Sequence, residues 1–190
     1  MSDANQKPNL YLVGFMGTGK SSVGRLLAPR LGLRFIDSDH AIEEKEGLRV
    51  PLIFEEKGEP YFRELERDFI EAGHQRTGCV VACGGGLIVQ PGMAERLREL
   101  GIVASLFARP ETIYERTSRN QNRPLLQVED PRARITEMLE KREPYYLRAG
   151  ACFMTDFRPL SEVANHIAAY YQRAVPDFAP APSEAERKGA

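Results

Sequence analysis

The feature that most constrains this chain is a glycine-rich segment near its N-terminus, Gly14-Phe15-Met16-Gly17-Thr18-Gly19-Lys20-Ser21. The segment fits the pattern G-x-x-x-x-G-K-[ST] of a phosphate-binding P-loop. It follows an apolar run at 10–13 and precedes an amphipathic stretch, which is the strand–loop–helix setting that a P-loop requires. Glycines let backbone N–H groups converge on phosphate oxygens, Lys20 brings positive charge to the outer phosphates, and the Ser21 hydroxyl can ligate Mg²⁺. The segment therefore predicts the binding of a nucleoside triphosphate.

The rest of the chain alternates short aliphatic runs with amphipathic segments. We predict strands at 10–13, 34–37, 79–82, 102–107 and 151–154. Predicted helices cover 21–31, 41–47, 51–57, 60–75, 93–100, 111–119, 131–147 and 159–173, and Pro29 is expected to shorten or kink the first of them. This alternation predicts an α/β fold in which helices flank a central, mostly parallel sheet. We expect one domain over 1–175 and a disordered tail over 176–190.

The bulk composition argues against several classes of protein. The formal net charge is -1 and charged residues make up 28% of the chain, which does not suit a nucleic-acid-binding protein. No apolar run is long enough to cross a bilayer, and the polar residues 1–8 lack the hydrophobic region of a signal peptide. Cys79, Cys83 and Cys152 lack a metal-binding spacing and are expected to be free thiols. We therefore expect a cytoplasmic monomer without nucleic-acid or membrane partners.

A second glycine cluster, Gly84-Gly85-Gly86, stands where many P-loop GTPases and motor ATPases have a Walker B aspartate. The chain also contains no Asn-Lys-x-Asp stretch for guanine recognition. These differences argue against a switch GTPase and favour a small-molecule kinase. The cluster can present backbone N–H groups to a ligand, or it can be a tight turn that a helix approaches closely.

Two acidic residues, Asp37 and Asp39, follow the second predicted strand. Strand ends beside a P-loop face the ligand crevice of a parallel sheet. In an extended chain, residues two apart point to the same side, so one carboxylate can serve Mg²⁺ and the other a substrate hydroxyl. The alternative is that these residues cap the N-terminus of a helix.

Several arginines are candidates for binding an anionic group. Arg63 lies three residues before Glu66 on a predicted helix, a spacing that fits a surface ion pair as well as a ligand site. The further cationic candidates are Arg116, Arg119, Arg123 and Arg142. Most arginines are solvated, so their positions alone leave each of them open.

Taken in order, six segments over about 9–173 resemble the shikimate kinase family. Besides the P-loop they are Asp37-Ser38-Asp39, Phe62-Arg63-Glu64-Leu65-Glu66, Gly84-Gly85-Gly86, Arg123-Pro124-Leu125-Leu126 and Lys141-Arg142-Glu143-Pro144-Tyr145-Tyr146. Apart from the P-loop each is weak alone, but all six in the family's order and approximate spacing are highly specific. The resemblance implies a fold similar to that of nucleoside monophosphate kinases, with a mobile lid at about 117–128.

The resemblance also implies an activity and an acceptor site. The activity is the ATP- and Mg²⁺-dependent phosphorylation of the shikimate 3-hydroxyl, on the route to aromatic amino acids. Asp39 would bind the ring hydroxyls and orient, or even deprotonate, the nucleophile. Arg63 and Arg142 would clamp the carboxylate, and Gly85 would contact the substrate through its backbone.

On the nucleotide side, the resemblance implies that Asp37 lies in the outer shell of the Mg²⁺ that Ser21 binds. Arg123 would close over the transferring phosphate, and Arg116 would lie near the adenine. Lys20, Asp39 and Arg123 would thus be catalytic. The nucleotide-binding set would be Gly17, Thr18, Gly19, Lys20, Ser21, Ser22, Arg116 and Arg123.

Two kinds of alternative remain at this point. Another small-molecule kinase of the same fold, such as a gluconate kinase or a nucleotide kinase, shares the P-loop. Asp39 with Arg63 and Arg142 favours a hydroxylated carboxylic acid over a nucleotide as acceptor. A non-catalytic nucleotide-binding module is the other alternative, but such relatives usually lose the P-loop lysine or the substrate arginines, and this chain has both.

Overall fold

The computed structural model describes residues 7–118, 124–126 and 128–179. Its centre is one parallel sheet of five strands in the order β2-β3-β1-β4-β5. The strands are β1 (Asn9–Gly14), β2 (Arg34–Asp37), β3 (Cys79–Ala82), β4 (Gly101–Phe107) and β5 (Ala151–Met154). Because all strands run in one direction, their carboxyl ends, where the P-loop begins, meet at one edge of the sheet.

Seven α-helices accompany the sheet in the described part of the chain. They are α1 (Lys20–Leu31), α2 (Ser38–Glu46), α3 (Val50–Ala72), α4 (Met93–Leu100), α5 (Pro110–Thr117), α6 (Pro131–Ala149) and α7 (Leu160–Ala174). The predicted α/β fold is therefore confirmed. None of the helices in these ranges combines the length and hydropathy of a membrane span.

The apolar core lies in two layers, one on each face of the sheet. In β1, Leu10 and Leu12 belong to the layer under α1 and α7, whereas Tyr11 and Val13 belong to the layer under α3, α4 and α6. This division follows from the alternation of side chains along a strand. Since both faces are covered, β1 is buried along its whole length.

Prolines and glycines shape the helices in ways that differ in part from expectation. The first helix is not shortened at Pro29 but continues to Leu31, and Gly32 then ends the helix in the left-handed conformation. The two helices predicted at 51–57 and 60–75 form the single element α3, which is interrupted at Gly58 with φ 81°. Pro60 lies just after this break.

The acidic segment after β2 is helical, so the extended geometry expected for it is wrong. Asp37 is the N-cap of α2, and its side chain accepts a hydrogen bond from the His40 N–H. Asp39 therefore lies in the first turn of a helix. The cap satisfies N–H groups that the first turn leaves without a backbone partner.

The start of the predicted tail is packed against the domain. A short 3-10 helix spans Val175–Asp177, and Phe178 packs against the core layer under α1 and α7. Residues 180–190 lie outside the described residues.

Candidate active site

Two adjoining cavities open at the carboxyl edge of the sheet. The phosphate cavity, of about 560 Å³, is bordered by the P-loop and the start of α1. The acceptor cavity, of about 280 Å³, is bordered by α2, α3, α6 and the turn after β3. Four residues border both cavities: Met16, Asp39, Gly84 and Gly85. A group bound in one cavity can therefore meet a group bound in the other at Asp39.

The side chain of the P-loop lysine, Lys20, lies inside the loop. The Lys20 ammonium donates to the carbonyls of Gly14 and Phe15, at 2.8 and 2.9 Å. Thr18 is buried, and its hydroxyl donates to the Phe15 carbonyl at 2.8 Å. The Thr18 side chain thus stabilises the loop from within and does not border the phosphate cavity, so any contact from Thr18 to a nucleotide has to come from its backbone. Gly17 and the predicted residues from Gly19 to Ser22 do border that cavity.

Ser21 and Asp37 bring two oxygen ligands together at the mouth of the phosphate cavity. The Ser21 hydroxyl donates to Asp37 Oδ2 at 2.5 Å. Mg²⁺ prefers oxygen ligands and is held in kinases by one or two protein groups together with substrate phosphates and water. The pair therefore fits the magnesium site that the sequence predicts.

Arg116 connects the P-loop to the segment that follows β5. Its guanidinium donates to the Gly17 carbonyl at 3.2 Å and to the Thr155 hydroxyl and carbonyl at 2.9 and 2.8 Å. Thr155 itself is buried and donates to the Phe107 carbonyl. Arg116 is thus held on the side of the P-loop where β4 and β5 end, which is opposite to the acceptor cavity.

All four predicted substrate-binding residues border the acceptor cavity: Asp39, Arg63, Gly85 and Arg142. They come from three helices and a turn that are far apart in the sequence. Aromatic rings lie under both arginines. The Arg63 guanidinium carbon is 5.7 Å from the centre of the Phe62 ring, and that of Arg142 is 5.9 Å from the Phe15 ring. Such contacts favour a cation and fix the direction of a long side chain.

The pair formed by Arg63 and Glu66 is buried, so the surface ion pair left open above is excluded. Arg63 Nη1 donates to Glu66 Oε2 at 2.7 Å, and the Glu66 side chain is 1% exposed. The same oxygen accepts a hydrogen bond from the Gln90 side-chain amide at 2.8 Å. On its other edge, Arg63 bonds to Glu59. The position of the guanidinium is therefore fixed from two sides.

The turn after β3 needs glycine because acceptor-site side chains press against it. A Cβ atom at Gly84 would overlap Glu66 Oε1 and would lie 2.6 Å from Asp39 Oδ1, and a Cβ atom at Gly86 would overlap the Arg63 guanidinium. The expectation of a close approach at this turn is therefore correct. The approach is made by polar side chains of α2 and α3.

Asp39, which is half-buried, and Glu66, which is buried, thus form a pair of carboxyl groups on one side of Gly84. Burial raises the pKa of Asp39, the neighbouring charge of Asp37 raises it further, and Lys20 opposes both effects. Burial raises the pKa of Glu66 to about 7 against the effect of Arg63, and Asp39 adds to the rise. Oε1 of Glu66 has no hydrogen-bond partner among the described residues. Two carboxylates this close resist being ionised together.

Comparison with known proteins identifies the family of this site. The family model described as shikimate kinase matches residues 16–172. The chain belongs to the shikimate kinase family. A shikimate kinase of Thermodesulfovibrio yellowstonii is 42% identical over 87% of this chain and 95% of its own length. A shikimate kinase of Ralstonia nicotianae is 50% identical over 73% of each chain.

Solved structures agree with this assignment. A shikimate kinase from Acinetobacter baumannii, in complex with shikimate, superposes with a TM-score of 0.82 at 40% identity and covers 88% of this chain and 94% of its own. A gluconokinase from Sinorhizobium meliloti reaches a TM-score of 0.62 at 20% identity, over 91% of this chain and 97% of its own, and so shares the fold alone. As a member of the shikimate kinase family, the protein is an ATP-dependent enzyme that uses Mg²⁺ and transfers the γ-phosphate to shikimate, in aromatic amino acid biosynthesis.

Sequence reasoning missed part of the site, and one predicted residue cannot be placed. Arg123, like half of the residues of the lid predicted at 117–128, lies outside the described residues. Leu125, from the short helix Pro124–Leu126, borders the acceptor cavity, although no role was predicted for it. Gln90 was also missed. Its position six residues after Gly84 gives no signal, because its contact with Glu66 depends on how α3 packs on the turn.

Proposed function

We propose that Asp39, Arg63, Gly85 and Arg142 hold shikimate in the acceptor cavity with its 3-hydroxyl at Asp39. The observation that carries this proposal is the place of Asp39, which borders the acceptor cavity and the phosphate cavity at once. A hydroxyl bound there lies next to a phosphate bound on the P-loop. Phosphoryl transfer depends mainly on such positioning and on charge neutralisation.

Asp39 binds the attacking hydroxyl and takes up its proton as transfer proceeds. Burial and the charge of Asp37 raise its pKa, which makes the carboxylate a better proton acceptor than an exposed one, and the Lys20 ammonium opposes this rise. This balance suits a group that accepts a hydrogen bond from the substrate and then its proton.

Arg63 and Arg142 bind the substrate carboxylate. An arginine has five N–H donors. Within the described part of the chain, three of those of Arg63 bond to Glu59 and Glu66. One donor remains on each terminal nitrogen, and these donors are left for a carboxylate, the group that a guanidinium binds best. Gly85 borders the same cavity and contacts the same molecule through its backbone.

The nucleotide lies across the P-loop with its base on the side of β4 and β5. The acceptor cavity occupies the side of β2 and β3, so the γ-phosphate has to point there and the adenine has to point away, toward Arg116. Lys20 binds the outer phosphates, and the backbone from Gly17 to Ser22 binds the others. When bound at Ser21 and Asp37, Mg²⁺ neutralises the charge on the phosphates.

The remaining expectations complete this proposal. Arg123 closes over the transferring phosphate from the lid at 117–128, which excludes water. The protein acts as a cytoplasmic monomer. Size-exclusion chromatography with light scattering measures the mass of the protein in solution. A mass above that of one chain at assay concentrations would contradict the monomer.

The decisive experiment is a comparison of acceptors. Purified protein with ATP and Mg²⁺ should release ADP with shikimate and not with gluconate or nucleoside monophosphates. Asp39→Asn should lower kcat at least about 10²-fold, because it removes the proton acceptor. ATP affinity should stay unchanged, since the P-loop is a separate element. Asp68→Asn, an exposed change on α3, is the matched control. Equal turnover of gluconate, or loss of ATP binding in Asp39→Asn, would contradict the proposal.

A further inference from the structure

Tyr146 joins three parts of the structure behind the acceptor cavity. The residue is fully buried in α6. Its hydroxyl donates to the Gly85 carbonyl at 2.7 Å, and its own carbonyl accepts a hydrogen bond from the Ser105 hydroxyl of β4 at 2.7 Å. Its ring packs edge-on against Phe107, with ring centres 6.3 Å apart. Hydrogen bonds therefore hold both the side-chain hydroxyl and the backbone carbonyl of Tyr146.

The position of Tyr146 in α6 relates it to Arg142. The two residues are four apart, so their side chains lie on the same face of the helix. Arg142 borders the acceptor cavity, as does Gly85. The hydrogen bond from Tyr146 therefore ties the helix that carries one substrate-binding group to the turn that carries another.

The turn at 84–86 needs such a hydrogen bond because it consists of three glycines. A Cβ atom at Gly84 or Gly86 would press on the side chains of Asp39, Glu66 or Arg63, and a run of three glycines has more backbone freedom than any other sequence. A peptide unit is planar, so holding the Gly85 carbonyl fixes the whole peptide plane between Gly85 and Gly86. Burial raises the pKa of Tyr146 to about 12, so its hydroxyl remains a donor at neutral pH.

We propose that Tyr146 is a positioning residue of the acceptor site, which holds the backbone of Gly85 and the helix of Arg142 at a fixed separation. This inference rests on the proposed function of Gly85 and Arg142. Without the hydroxyl, the glycine turn samples other conformations, and shikimate has to order it on binding. Gly85 also borders the phosphate cavity, but the larger cost falls on the acceptor, because the P-loop and Arg116 are held by other contacts.

The test is Tyr146→Phe, with the exposed neighbour changed in Tyr145→Phe as the matched control. We expect the KM for shikimate to rise about tenfold in Tyr146→Phe, which corresponds to about 1.4 kcal/mol. The KM for ATP and kcat should change little, and Tyr145→Phe should match the wild type. A general loss of order would raise both KM values together, so that result, or an unchanged KM for shikimate, would overturn the inference.

A second variant keeps the test decisive if Tyr146→Phe does not fold. Ser105→Ala removes the hydrogen bond to the Tyr146 backbone carbonyl and leaves the Tyr146 hydroxyl in place. This variant should also raise the KM for shikimate, and a KM equal to that of the wild type would overturn the inference. If the wild-type enzyme itself failed to use shikimate, the proposed function would be at fault; normal wild-type turnover with unaffected variants would refute the role of Tyr146 alone.

Discussion

Gly84→Ala should separate the geometry of the acceptor site from the stability of the fold. The new methyl group would overlap Glu66 Oε1 and lie 2.6 Å from Asp39 Oδ1, whereas ordinary contacts begin at 3.4 Å. The Asp39 carboxylate therefore has to retreat by most of an ångström, away from Gly84 and out of the position in which we propose that it binds the substrate hydroxyl. A displacement of about 1 Å in a catalytic group can cost about 10²-fold in rate. We expect a fall of that size in kcat with shikimate, measured by ADP release.

The matched control is Gly92→Ala at the N-cap of α4. Gly92 has φ 76° and no atom within 4 Å of its added Cβ, so its replacement costs stability through backbone strain without touching the site. Overpacking at Gly84 costs about 1–3 kcal/mol, and a left-handed alanine costs about 1–2 kcal/mol. Both variants should therefore lose a similar amount of thermal stability. Only Gly84→Ala should lose activity, and both should bind ATP normally in calorimetry.

The reasoning about Gly84 would be refuted by two results. One is a Gly84→Ala enzyme whose kcat stays within a few-fold of the wild type while the protein is folded. The other is a Gly92→Ala enzyme that loses as much activity as Gly84→Ala, since the effect would then follow stability and not the position of Asp39.

Two further predictions concern pH. Because burial raises the pKa of Glu66 from 4.5 to about 7, its protonated form favours the folded state, and about 3 kcal/mol of stability present below pH 4.5 is lost as pH rises through 7. Glu66→Gln should abolish that loss in urea unfolding at pH 5 and pH 8, and an equal difference from wild type at both pH values would contradict this. Burial lowers the pKa of His74, whose Nε2 lies 2.9 Å from the Tyr11 hydroxyl, so stability present at neutral pH is lost as pH falls below about 6.5. His74→Gln should reduce this loss of stability at acid pH. An unchanged dependence of stability on pH would exclude His74 as its cause.

The sequence was most informative where local signals and the fold agree. All five strands were predicted, and the signal was clearest for β1, β3 and β4, which are apolar runs that a parallel sheet buries on both faces. The geometry after β2 was predicted wrongly because a local signal was misjudged. Asp37 caps a helix that begins at Ser38, and a cap can outweigh the continuation of a strand.

Contacts between distant elements could not be predicted. The spacing of Arg63 and Glu66 shows that they share a helix face, but not that the face is buried, which depends on the turn at 84–86. The bond from Tyr146 to Gly85 spans 61 residues of sequence, and no local pattern encodes it. Motif reasoning therefore finds the groups that face the ligands and misses those that hold them in place.

The missing Walker B aspartate has a physical explanation in this site. Gly84 lies two residues after β3, in the glycine segment that stands in place of that aspartate, and Asp39 and Glu66 both pack against it. An aspartate there would clash with both carboxyl groups and would add a third negative charge to a pair that already resists ionisation. A carboxylate for Mg²⁺ therefore has to come from another strand. In the proposed site Asp37, at the end of β2, would provide it, 2.5 Å from the Ser21 hydroxyl and on the phosphate side of Asp39.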